Sequence, residues 1–404
     1  MDLVFTTGAV GAVRIEGGGD AAIGLRSAAP AVGDGVALHF EGAGRDWSAG
    51  QCLAFTLRAN GAHRLRVRIE HGRGHWVLYL VPRPGLSARV VLPFADLRER
   101  PHNSSHPGYS RFGGGPHPVD LADVHSLTLT FNQVSPEDKT LTLADFGLHD
   151  TVMESAVLDP RVVVDAWGQW TGERGALLAE AQVRAAWAAE PAAFDGFPGH
   201  TDATGAEAAA RLGEGTGFFR VARDGGRWWL VDPEGYRFFS AGCDCVRPKS
   251  EGPLDGRETL FADLTHAEER EPTVAGRWHS RLWADFHARN LRRRHGEDGD
   301  WHERWSRHTA ARLRRWGFNT IANWSEDTLT RRGLMPYVTN IQSLGPLCGH
   351  LPDVFAPDFP RRVRDLVEPE VAPYRGDRML IGFFVGNEPH WTFGGVAHPF
   401  NAVF

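Results

Sequence analysis

Cysteine is scarce in this sequence. The four residues, Cys52, Cys243, Cys245 and Cys348, form no disulfide framework and match no zinc-ligand spacing. Cys243 and Cys245, two apart, would share one face of a strand, where a free thiol packs as a small apolar group. Long apolar runs are missing too. No stretch approaches the ~20 residues that cross a bilayer, which argues against a membrane partner. The opening MDLVFTTGAV has neither the charged start nor the apolar centre of a signal peptide. A cytoplasmic protein is the default expectation, a secreted one if the amino terminus is incomplete. Basic charge is also short, with 44 basic residues against 50 acidic ones. The one local run, Arg292 to Arg294, suits a solvated helix face, so nucleic acid is not an expected partner.

What is present is ordinary for a globular chain of two domains. The length is 404 residues, 42% of them hydrophobic and 23% charged, more than one typical core needs. Fourteen tryptophans are many for this length. They are compatible with stacking on sugar rings, although most belong in a core.

Residues 1–150 alternate with period two. HRLRVRIE sets Leu65, Val67 and Ile69 on one face and Arg64, Arg66 and Arg68 on the other. CLAFTLRA, WVLYLV, SLTLTF and KTLTLADF behave alike, between segments rich in Gly, Pro, Asn and Asp. This pattern predicts an all-β antiparallel sandwich. The stretch RPHNSSHPGYSRFGGGPHP reads as a long loop, either for binding or simply mobile. Residues 151–216 read as a linker, partly helical through an alanine-rich stretch.

Residues 217–404 change period. RWWLV-DPEG-YRFFSAG predicts a hairpin with Pro233 and Gly235 in a tight turn, and FFSAGCDCV continues as a buried strand. Trp301, Trp305, Leu313 and Trp316 recur at helical spacing, and Gly317 ends that helix. FNTIANWS and MPYVTNIQ read as strands. FPRRVRDLV reads as a helix with Phe359, Val363, Leu366 and Val367 aligned, and MLIGFFVGN as the last strand. This β/α alternation predicts a parallel sheet with helices outside.

In such folds functional groups collect at the carboxyl ends of strands. Here those ends carry Asp244, then Asn323 and Trp324, then Asn340 and Gln342, then Asn387 and Glu388, with Trp391 just beyond. Asparagine and glutamate grip hydroxyls, and tryptophan offers a flat apolar face, so the convergence favours a carbohydrate site. Glu388 is the candidate acid. A carboxyl at the mouth of an apolar strand is partly desolvated, which favours the protonated form and suits it to protonating a leaving oxygen. A salt bridge to a loop arginine is the plainer reading. Asn387 would hold a hydroxyl or merely turn the strand end, and Trp391 would stack or merely pack.

The stretch GFFVGNEPHW resembles the acid/base motif of the clan of retaining glycoside hydrolases built on a (β/α)8 barrel. VDAWGQW, DGGRWWLVDPEGYRFFSAGCDCVRP, DGRETLF, RLRRWGFNTIANWS and LPDVFAPDF are similar, in order, to the β-agarase family. GRDWSAGQCLAFTLRANG resembles the carbohydrate-binding-like module such agarases carry. The resemblance implies retaining hydrolysis of a β-linked galactose-containing polysaccharide or oligosaccharide. It makes Glu388 the general acid and then base, places Asn387 on the sugar 2-hydroxyl, and calls for no metal or other cofactor. A second carboxylate ~5 Å away would be the nucleophile. In this clan it comes from the seventh strand, so the chain is expected to be truncated after the fourth, half a barrel without its nucleophile. A β-galactosidase-like enzyme of the same clan, or a non-catalytic carbohydrate-binding protein, are the alternatives.

Overall fold

Alternation of apolar and polar residues decides the first part of the chain. The computed structural model describes residues 3–16, 22–61, 63–98, 104–113, 115, 118–159, 161–172, 178–190, 210–270, 281–341 and 353–386. By contacts the chain divides into two units: Met1–Arg174 with Glu251–Asp285, and Gly175–Ser250 with Phe286–Phe404. The segment Glu251–Asp285, left inside the second domain by the sequence reading, groups with the first unit.

The first unit is built on two antiparallel sheets sharing one core. The seven-stranded sheet runs in the order Phe5–Val10, Gly35–Phe40, Val124–Phe131, Leu65–His71, Gly74–Pro82, Tyr109–Phe112, Ser104–His106. The six-stranded sheet runs Ala156–Val157, Ser87–Pro93, Cys52–Ala59, Lys139–His149, Ile23–Ser27, Arg14–Glu16. Leu65, Val67 and Ile69 face inward as the alternation requires, opposite Leu80, Leu78 and Trp76 of the next strand. They join Leu53, Phe55 and Leu57 of the other sheet in one cluster. Truncating one of these, Leu78→Ala for example, would cost about 2–5 kcal/mol through lost burial and the cavity left behind.

The long predicted loop is in part a hairpin. Ser104–His106 pairs with Tyr109–Phe112 at the edge of the seven-stranded sheet, turning at Pro107 and Gly108, the latter at φ 80°. Tyr109 is fully buried, and its hydroxyl lies 2.8 Å from Ser155 Oγ.

In the second unit the predicted hairpin is present and gains a strand. Arg227–Val231 pairs with Arg237–Phe238 across the turn and with Arg220–Asp224 on its other side. Gly225 and Gly226, at φ 55° and 81°, supply the left-handed pair a two-residue hairpin needs. Then come four parallel strands in spatial order: Gly242–Cys243, Thr320–Ile321, Tyr337–Ile341 and Leu380–Val385. The Trp301–Arg315 helix buries Trp301, Trp305 and Leu313, which cluster with Ile321 and Tyr337. Among the described residues the sheets are mostly antiparallel, and these four strands form the parallel one.

Two expectations fail locally. The strand through FFSAGCDCV stops at Cys243, and Cys245 is exposed at φ 54° rather than packed beside Cys243. Trp316 lies past the helix end and is 60% exposed, because Gly317, at φ 89°, turns the chain away. The Phe359–Val371 helix forms, yet none of its residues is buried.

Candidate functional site

Two loops leave the carboxyl ends of the first two parallel strands and are tied together by backbone. Ala322 N–H donates to the Cys243 carbonyl at 2.7 Å, Cys245 N–H to Asn323 O at 2.8 Å, and Glu326 N–H to Val246 O at 2.9 Å. Ser325 Oγ completes the strap, accepting from Val246 N at 3.0 Å and donating to Ala322 O at 2.7 Å. The structure thus brings together the loops that carry Asp244, Asn323 and Trp324. Asp244 is exposed, Asn323 is 7% exposed and Trp324 45%.

Backbone strain marks the same place. Cys245 and Trp324 both sit at positive φ, 54° and 57°, a conformation costing roughly 1–2 kcal/mol for a residue with a Cβ. Trp324 bears this cost while leaving nearly half of its surface in solvent. Among the described sequence candidates, it is the side chain whose local geometry is hardest to attribute to stability alone.

The two faces of the parallel sheet differ in character. Cys243, Ile321, Tyr337 and Leu380 form a row across the four strands and pack with the Trp301–Arg315 helix. Tyr337 also hydrogen-bonds Asp377 at 2.7 Å, and burial, then that bond, raises its pKa. Asn340, three residues on, falls on the opposite face by strand alternation, in register with the exposed Phe384. Ser240 and Thr320 share a hydroxyl contact of 2.9 Å at the base of the same sheet.

Asn340 Oδ1 and Nδ2 are both buried, as is Asn323 Oδ1, and among the described residues none of the three has a hydrogen-bond partner. Leaving such an atom unpaired costs about 1–3 kcal/mol. Unpaired amides on two strands, beside a strained indole, suit a polar ligand with several hydroxyls. Asn340 stood among the strand-end residues in the sequence, and burial of its amide without a partner sets it apart. The Cys243 thiol pKa is pushed up by burial and then by Asp244, so it is no ready nucleophile.

Asn387, Glu388 and Trp391, like Gln342, lie outside the described residues. The described strand runs to Val385, and Gly386, at φ 68°, donates to Ile341 O at 3.4 Å.

No family model matches the chain. β-Agarase A of Vibrio sp. (strain JT0107) is 29% identical over 201 residues, covering 43% of this chain and 20% of that protein. β-Agarase B of the same strain is 27% identical over 217 residues, covering 44% and 22%. The chain is similar to glycoside hydrolases of the β-agarase kind. A solved structure described as an agarase, AgWH50C, covers 96% of this chain at TM-score 0.50 and 21% identity, using 64% of its own length. A structure of an exo-β-agarase does so at TM-score 0.50 and 19% identity, using 63%. At such identities these likenesses speak for the fold. The matched stretch spans about a fifth of the curated relatives' length.

Proposed function

We propose that residues 217–404 form the first half of a (β/α)8 barrel and act in a β-agarase-like retaining glycoside hydrolase. Glu388 protonates the glycosidic oxygen and then activates water. Asn387 holds the 2-hydroxyl next to the reacting carbon, and Trp324 and Trp391 stack on sugar rings. Asp244, Asn323 and Asn340 hold further hydroxyls. The observation that carries this reading is the parallel sheet whose carboxyl end gathers unpaired amides and a strained tryptophan. The similarity to β-agarases supports a β-linked galactose-containing substrate. A retaining mechanism needs a second carboxylate ~5 Å from the first. Asp232 does not suit the role, since its Oδ1 is committed to the backbone amides of Glu234 and Tyr236 in the hairpin turn. Glu234 sits in that turn beside Arg378 at 3.4 Å. In the clan this chain resembles, the nucleophile comes from a later strand of the barrel. Hydrolysis of agarose oligosaccharides measured beside simple β-galactosides tests the substrate class. Preference for the galactosides would move the enzyme to a β-galactosidase-like activity.

A second reading, saccharide binding by the sandwich, rests on the outer face of its seven-stranded sheet. Thr130, Arg66, Tyr79 and Phe112 fall in one row across four strands, with the Arg64 guanidinium 5.6 Å over the Tyr79 ring. Loss of oligosaccharide binding in Tyr79→Ala, with Glu388→Gln still binding, would favour it.

A further inference from the structure

The Glu180–Ala189 helix buries none of its residues, and the residue after it carries its firmest attachment. Glu190 Oε1 accepts from Arg312 Nε at 2.7 Å and Arg315 Nη2 at 2.9 Å. Its Oε2 accepts from Arg312 Nη2 at 2.8 Å and from Arg294 Nη2. Among the described residues Glu190 is the one acidic partner of all three arginines. Arg312 and Arg315 sit at the end of the Trp301–Arg315 helix, whose dipole supplies roughly half a negative charge. That half-charge and one carboxylate do not balance three guanidinium groups. The carboxyl ends of the Phe286–His295 helix, which carries Arg294, and of the Glu180–Ala189 helix add comparable half-charges, so roughly half a positive charge is left over.

The cluster borders an open depression of about 570 Å³ lined by Trp187, Glu190, Arg294, Arg312, Arg315 and Trp316. Arg294 lies 5.5 Å from the Trp187 ring centre and Arg312 5.8 Å from that of Trp316. Trp316 keeps most of its surface in solvent, an unusual place for the largest apolar side chain. Helix capping explains an arginine there, and neither capping nor core packing explains the two indoles. Indoles offer flat apolar faces to a sugar ring, and guanidinium forks match the oxygens of a sulfate or carboxylate.

We infer that this depression is a binding site for an anionic saccharide, with Trp316 and Trp187 as the ring platform and Arg315 as the anion grip. Trp316 precedes the Thr320–Ile321 strand and Asn323 follows it, so the site lies toward the opposite end of the sheet from the unpaired amides. It is independent of the proposed hydrolysis.

Isothermal titration of the 404-residue chain with a sulfated hexose, a carboxylated hexose, the neutral hexose and inorganic sulfate tests the site. At least one anionic hexose should bind more tightly than both the neutral sugar and the inorganic ion. Trp316→Ala and Arg315→Gln should each weaken it about tenfold or more, with circular dichroism unchanged, and Glu388→Gln should leave it as it was. If the sulfated sugar prevails, the grip is for sulfate, and if the carboxylated one prevails, for carboxylate. Absence of binding by both sugars, inorganic sulfate binding as tightly as either, or full binding by both variants would each overturn the inference.

Discussion

The backbone amide of Cys245 donates to the carbonyl of Asn323 at 2.8 Å. The donor residue, and Trp324 next to the acceptor, both lie at positive φ. This bond fixes one strand-end loop against its neighbour. A fold that needed only stability would place glycine at both positions.

Replacing Trp324 separates strain from function. Trp324→Gly relieves the left-handed backbone and should leave stability in urea within about 1 kcal/mol of the parent, or above it. Trp324→Val, branched at Cβ, should lose about 1–2 kcal/mol. Both should weaken oligosaccharide binding. Equal binding by the glycine variant and the parent would remove Trp324 from the site.

Asn340 gives a second contrast between stability and binding. Its amide makes no hydrogen bond among the described residues, so Asn340→Leu, similar in size, should raise unfolding free energy by about 1 kcal/mol. The same variant should bind substrate less well. Destabilisation on denaturant titration, with unchanged affinity, would mean the amide serves the fold.

The sandwich carries its own pH dependence. His106 stacks on Tyr109 with ring centres 4.7 Å apart and lies 2.8 Å from Ser104 Oγ. Burial, then Arg111 and Arg257, lowers its pKa to about 4 from the ordinary 6.5. The unfolded chain therefore takes up the proton first. Stability is intact above pH 6.5 and falls as pH drops from there toward 4, by up to about 3 kcal/mol. Chemical denaturation across that range should show a smaller loss in His106→Gln. An identical loss would place the acid sensitivity elsewhere.

The Glu190 attachment responds to acid with its own sign. Its arginines, Arg312 foremost, hold the carboxyl far below its ordinary value of 4.5. The attachment is thus complete above pH 4.5 and weakens as pH falls below it. Hydrogen exchange over residues 178–190 should be slow at neutral pH and fast in Glu190→Gln. Protection retained in that variant would show another anchor for the helix.

Much of the fold was legible because period decides it. Leu65, Val67 and Ile69 could only face one way, and the Trp301–Trp305–Leu313 stripe fixed the buried side of its helix. The 100–118 region was misread because its polar residues outweighed the Pro107–Gly108 turn, although a buried Tyr109 was the clue. Cys245 and Trp316 depended on single backbone turns that periodicity does not register. Within the site, strand ends pointed to Asp244, Asn323, Trp324 and Asn340. The importance of Asn340 needed atomic burial, since a partnered and an unpartnered amide look alike in sequence.

The central claim rests on Glu388, and turnover of agarose oligosaccharides by Glu388→Gln tests it most directly. The measurement should use the native polypeptide that contains residues 1–404, with an activated aryl glycoside as the second substrate. Loss of most activity on the oligosaccharides, with the aryl substrate much less affected in its first step, is the predicted result, because a good leaving group needs no proton. Full oligosaccharide turnover by the variant would contradict the assignment.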